Sequence, residues 1–90
     1  MSDTEQESLI EFPCHYEVKV MGKDNHDFHS EVRRIVSVHC EAVEDHHFRQ
    51  RSSSKGKFIS VTAKVYVENR AHLEALYGDL RASDHVLYTL

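Results

Sequence analysis

Eight histidines and two cysteines give this chain its widest chemical repertoire. Cys14, His39, Cys40, His46 and His47 are ligand types that zinc accepts. Their order, His-Cys-x5-His-His, is not a zinc-site spacing. His39 and Cys40 are neighbours on an expected helix, where adjacent side chains diverge by about 100°. His46 and His47 are neighbours too, which is poor chelating geometry in extended chain. The histidines therefore read as surface residues, with no metal and no cofactor. His39 falls on an apolar stripe, as a boundary residue whose ring N–H finds a partner. Cys14 sits beside His15, but alternation sends them to opposite faces, so no nucleophile–base pair forms. No paired carboxylates mark a cleft. The chain reads as a binding protein and not an enzyme.

A second constellation is basic. Ser52-Ser53-Ser54-Lys55-Gly56-Lys57 is a turn whose Gly56 is free to take positive φ. Its N–H groups and two lysines can hold an anion. It is not a nucleotide-binding loop of the G-x-x-x-x-G-K-[ST] type, because no helix follows the lysine. With Arg49 and Arg51 just before it, the candidate binding set is Arg49, Arg51, Lys55, Gly56 and Lys57. The sequence places no acid from position 46 to 67, although Glu41, Glu44 and Asp45 could fold back. The set reads either as a docking surface for an acidic partner or anionic ligand, or as a solvated edge whose charges block strand-to-strand association. A third constellation, Phe58 and Tyr66 with Lys64, would lie on one exposed sheet face. RNA-recognition modules stack bases on such aromatics. Here the motif that accompanies them is absent, and the first strand offers His15, Glu17 and Lys19 on that face. RNA binding is the alternative reading.

Elements must position these residues. Tyr16-Glu17-Val18-Lys19-Val20 alternates as a half-buried strand does, and Gly22 is expected to end it. Asn25 can cap a helix carrying Phe28, Val32, Ile35, Val36 and His39 on one stripe. Residues 41–47 read as a loop, and 48–52 as a short edge strand. Residues 58–67 alternate most clearly. Asn69 caps a second helix striped by Leu73, Leu76, Tyr77 and Leu80, and a last strand spans 86–90. The order βαββαβ is the ferredoxin-like, split βαβ arrangement, an α+β fold with both helices on one face of a four-stranded antiparallel sheet. An acylphosphatase has the same strand order, but the loop after its first strand needs an arginine. Here that loop is Gly22-Lys23-Asp24-Asn25, whose Asp24 would repel phosphate.

Ninety residues allow one domain. Residues 1–9 read as an acidic tail and 10–90 as the domain. Lys+Arg 11 against Asp+Glu 15 gives −4, which argues against a strongly basic nucleic-acid binder. Asp3, Glu5, Glu7 and Glu11 precede Phe12 with no base among them, so the rest of the chain is balanced. The start lacks the basic and apolar stretches of a secretory signal, and no apolar run approaches the ~20 residues of a membrane helix. A cytoplasmic protein with reduced thiols is expected.

Particular residues also carry a resemblance. Glu11-Phe12-Pro13, Val18-Lys19-Val20-Met21-Gly22, Ser53-Ser54-Lys55-Gly56-Lys57-Phe58 with Ser60-Val61-Thr62, and Leu76-Tyr77 with Leu80 together resemble the bacterial YbeD-like family, also called UPF0250 or DUF493. The resemblance spans about Leu9 to Leu90. It implies a ferredoxin-like fold similar to ACT regulatory domains, and a regulatory or binding role. It implies no catalytic residues. A protein partner or a small anionic or amino-acid-like effector is the expected ligand. The expected core is Tyr16, Val18, Val20, Phe28, Val32, Ile35, Val36, Ile59, Val61, Ala63, Val65, Leu73, Leu76 and Leu80. The opposite sheet face has no continuous apolar patch, so a monomer or weak homodimer is expected. Light scattering at micromolar concentration checks this, and a tight dimer there would contradict it.

Overall fold

The structure is a computed structural model that describes residues 11–53 and 55–89. The expected tail, Ser54 and Leu90 lie outside the described residues. β1 (Cys14–Lys23), α1 (His26–His39), β2 (Phe48–Ser52), β3 (Phe58–Val67), α2 (Arg70–Ala82) and β4 (Val86–Thr89) follow in the expected βαββαβ order. A 3-10 turn at Asp45–His47 leads into β2. Both helices start where the sequence supplies a cap. Asn25 Oδ1 accepts from the Phe28 N–H at 2.8 Å, and Asn69 Oδ1 from the His72 N–H at 2.8 Å.

The sheet order is β2-β3-β1-β4, all antiparallel, with β1 and β3 central and β2 and β4 at the edges. β1 and β3 pair along their whole lengths, from Cys14 opposite Val67 to Lys23 opposite Phe58. Alternation then sends Val18, Val20, Ile59, Val61, Ala63 and Val65 to one face, where they are buried against Phe28, Val32, Ile35 and Val36 of α1 and Leu73, Leu76 and Leu80 of α2.

Two expectations need correction. Tyr16 points to this face but is only half-buried, because it lies at the sheet's rim with its ring edge-on to Tyr77 at 6.4 Å. Cys40, Val67 and Val86 join the core instead. Gly22 does not end the first strand. It pairs with Ile59 on one side and Val86 on the other, at a register shift relative to β4. A Cβ on Gly22 would collide with the Phe28 ring and would sit 2.7 Å from the His85 carbonyl oxygen. The glycine therefore lets the strand continue under α1 where a side chain would block it.

Leu76 is fully buried, so Leu76→Ala should lose about 2–5 kcal/mol in denaturant melts. Gly22→Ala should cost about 1–3 kcal/mol, because the strand or α1 must shift to admit the methyl group. A loss well under 1 kcal/mol for either variant would contradict the packing described.

Candidate functional site

The same alternation that fills the core lays out the opposite, helix-free face. β2 contributes Arg49 and Arg51, which pair with Thr62 and Ser60 of β3. β3 also carries Phe58, Lys64 and Tyr66, and β1 carries His15, Glu17, Lys19, Met21 and Lys23. The five cations in these strands, Lys19, Lys23, Arg49, Arg51 and Lys64, face one carboxylate, Glu17. Every other acid among the described residues lies outside the strands.

The β2–β3 turn closes as its residue types require. Gly56 takes φ 68, its N–H donates to the Ser53 carbonyl at 3.0 Å, and the Ser53 N–H donates to the Phe58 carbonyl at 2.8 Å. The turn sets Lys55 and Lys57 beside the strand end that carries Arg51. Of the candidate set, Arg51, Lys55, Gly56, Lys57 and Phe58 come together at this end of the face. Lys64 and Tyr66 lie toward the other end, with Arg49 between. Phe58 and Tyr66 are eight residues apart on one strand, about 26 Å along it, too far to stack consecutive bases. The Tyr66 ring packs edge-on against His15 at 5.2 Å.

Arg49 finds an acid from outside the stretch 46–67. Glu17 Oε2 accepts from Arg49 Nη2 at 2.7 Å. β1 supplies this acid across the sheet, a pairing that a window from position 46 to 67 cannot contain. Asp45 and Glu44 do not fold back to the hairpin. Asp45 bonds Arg33 at 2.6 Å, and Glu44 lies 3.4 Å from the His46 ring. Arg51, Lys55, Lys57 and Lys64 have no salt bridge among the described residues.

At the Tyr66 end two depressions adjoin. One of about 410 Å³ is lined by His15, Glu17, His46, His47, Arg49 and Lys64. The other, about 620 Å³, shares His15, His47 and Lys64 and reaches Val43, Tyr66, Glu68 and His72. His15 and Glu17 were placed on this face by alternation. The approach of His46 and His47 was not legible, because it depends on the Asp45–His47 turn that an irregular stretch of sequence does not announce.

Beside the larger depression, His72 Nε2–H donates to the His39 carbonyl at 2.6 Å, and His72 Nδ1 accepts from the Glu68 N–H at 3.1 Å. The bonding pattern fixes the neutral tautomer. Cys40 Sγ lies 4.0 Å from this Nε2. The ring nitrogen nearest the thiol thus carries a hydrogen and cannot accept the thiol's proton. Burial pushes the Cys40 thiol up, away from the reactive thiolate. This pair is a packing contact between helix ends. His39 occupies the boundary position expected of it, with Nε2 2.6 Å from Asp79 Oδ2. Both thiols are free. No cluster of metal-ligand residues is present among the described residues. No helix there is long and apolar enough to cross a membrane.

Comparison with known proteins gives a consistent family and fold. Residues 7–90 match the family model described as a protein of unknown function, DUF493. A UPF0250 protein of Neisseria gonorrhoeae is 40% identical over 90 residues, covering 97% of this chain and 99% of the relative. One from Idiomarina loihiensis is 34% identical over 90 residues, covering 100% of both. Among solved structures, protein HP0495 from H. pylori aligns with a TM-score of 0.73 at 18% identity, over 100% of this chain and 94% of that one. The ACT domain from GTP pyrophosphokinase of Chlorobium tepidum aligns at 0.62 and 16% identity, over 84% and 94%. The fold is therefore ferredoxin-like and similar to an ACT domain.

Two groups make the fold sensitive to alkali. The Cys40 thiol is raised above its ordinary 9.0 by burial. The Tyr77 hydroxyl is pushed up from 10.0 to about 12 by burial and then by Tyr16, with Arg81 opposing. In both cases folding favours the protonated form. The stability this contributes is whole below the ordinary values and is lost as pH rises through the raised ones. Denaturant melts should show no loss from these groups up to about pH 9 and a decline above it. Cys40→Ala should remove the earlier part of that decline. An unchanged curve between pH 8 and 11 would contradict the burial of both groups.

Proposed function

Since the chain belongs to the DUF493 family, we propose that it is a non-catalytic regulatory module of the cytoplasm that docks an acidic protein partner on its cationic sheet face. The observation that carries this reading is the segregation of charge. Five strand cations share the helix-free face with one strand carboxylate, and the turn lysines Lys55 and Lys57 lie at the end of that face, in a chain whose net charge is −4. A patch of one sign raises the encounter rate with a surface of the other, and the effect weakens with salt. Arg51, Lys55, Gly56 and Lys57 form the centre of contact in this reading, and Arg49, held by Glu17, gives it a fixed edge. The likeness to an ACT domain supports the regulatory part of the reading by fold alone. The module works as a monomer or weak homodimer.

Capture of partners from the native cell by the wild-type chain and by Arg51→Glu/Lys57→Glu tests the reading. Arg34→Glu, on α1, serves as the charge-altering control. The double variant should lose the acidic partners about tenfold or more, and rising salt should release them from the wild type. Equal capture by all three proteins, or an equal loss with Arg34→Glu, would overturn it.

A further inference from the structure

The smaller depression has a chemistry of its own. His15 and Glu17 come from β1, Arg49 from β2, Lys64 from β3, and His46 and His47 from the turn before β2. Five of these six side chains are cations or bases. The single carboxylate, Glu17, already bonds Arg49, so the pair contributes no net charge and Lys64 leaves the hollow positive. Glu44, which caps the turn, lies 3.4 Å from the His46 ring, and Asp45 is engaged by Arg33.

Donors are available there. The Glu44 N–H donates to His47 Nδ1 at 2.9 Å, which leaves the hydrogen on Nε2 free to donate. Lys64 has no salt bridge among the described residues. Arg49 spends Nη2 on Glu17, and its guanidinium has further N–H groups.

We propose that this hollow binds the phosphate of a phosphate monoester. An ammonium, a guanidinium and an imidazole N–H from three different elements can approach a tetrahedral group with several acceptor oxygens from several sides. A flat carboxylate could satisfy fewer of them. The adjoining depression shares His15, His47 and Lys64 and continues along Val43, Val65 and Tyr66. It has room for the organic part of the ester against the Tyr66–His15 ring pair. Its two acids, Glu41 and Glu68, lie outside the smaller hollow and disfavour the phosphate in the larger one. The proposal deepens the docking reading and rests on it where the ester belongs to a protein partner. The hollow's own affinity is measurable without that partner.

The test is an NMR titration of the full chain at constant ionic strength with inorganic phosphate, glycerol phosphate, a phosphoserine peptide and its unphosphorylated form, and acetate. Saturable shifts should centre on His15, His46, His47 and Lys64 with each phosphate and be absent with acetate and the plain peptide. Lys64→Gln should weaken phosphate binding about tenfold or more. Arg34→Gln, an equal charge change on α1 outside the hollow, should weaken it less than about twofold. Tighter binding of the phosphopeptide than of glycerol phosphate would assign the ester to a protein segment, and the reverse to a small metabolite. Both support the site. No saturable shift with any phosphate, or equal losses in the two variants, would overturn it. The two readings fail separately, because partner capture follows Arg51 and Lys57 and phosphate binding follows Lys64.

Discussion

The ladder between β1 and β3 is the constraint on which the rest depends. Ten consecutive residue pairs, from Cys14 and Val67 to Lys23 and Phe58, fix which side chains look inward. A slip of one residue in either strand would turn its charged residues into the core and its valines into water. The apolar set of Val18, Val20, Ile59, Val61, Ala63 and Val65 therefore locks the register. The cationic face is what that lock leaves on the other side. Its composition is free to vary, since no packing requirement selects lysine or arginine there. Charge of one sign across three strands is thus a property that the core permits and does not explain.

The loops are held against this frame by polar contacts that are individually weak. His72 joins the end of α1 to the start of α2 through the His39 carbonyl, and His39 reaches Asp79. Arg33 of α1 bonds Asp45 and lies over the Phe48 ring at 4.5 Å. Exposed pairs of this kind contribute about 0–1 kcal/mol each. Their effect is geometric. Arg33 grips the turn and the first residue of β2 together, which fixes where His46 and His47 stand relative to Lys64 and Arg49.

The fold was legible because its signals are local. Alternation over 58–67, the stripe from Phe28 to His39 and the asparagines at 25 and 69 each need only a short window of sequence. The limits of legibility were long-range contacts. Gly22 looked like a breaker because a glycine with no visible partner usually is one, and only α1 passing overhead reveals why the strand needs it. Tyr16 fits the inward pattern but lies beyond the part of β1 that β4 flanks, which runs only from Val20 to Gly22. Of the site, the hairpin cations and the outward residues of β1 and β3 could be read from spacing. The bond between Arg49 and Glu17 joins residues 32 positions apart, and the seating of the 45–47 turn depends on Arg33 from another element.

Net charge misleads for the same reason. A total of −4 suggests a protein that repels acidic partners. Ions screen charges over about 8 Å at physiological salt, while the domain is 23 Å across its thinnest dimension. A surface approaching the sheet through solvent meets Lys19, Arg51 and Lys64 well before it responds to Glu31, Glu74 or Asp79 on the helices. The interaction depends on the charge of the face presented, and the sum over the chain averages two faces that no partner meets together. The helices themselves are balanced, with Asp27, Glu31, Glu74 and Asp79 matched by Arg33, Arg34, Arg70 and Arg81. Apart from Glu17, the remaining acids of the described residues lie outside the helices and strands, so the strands of the sheet are where charge of one sign gathers and where a negative surface is drawn in.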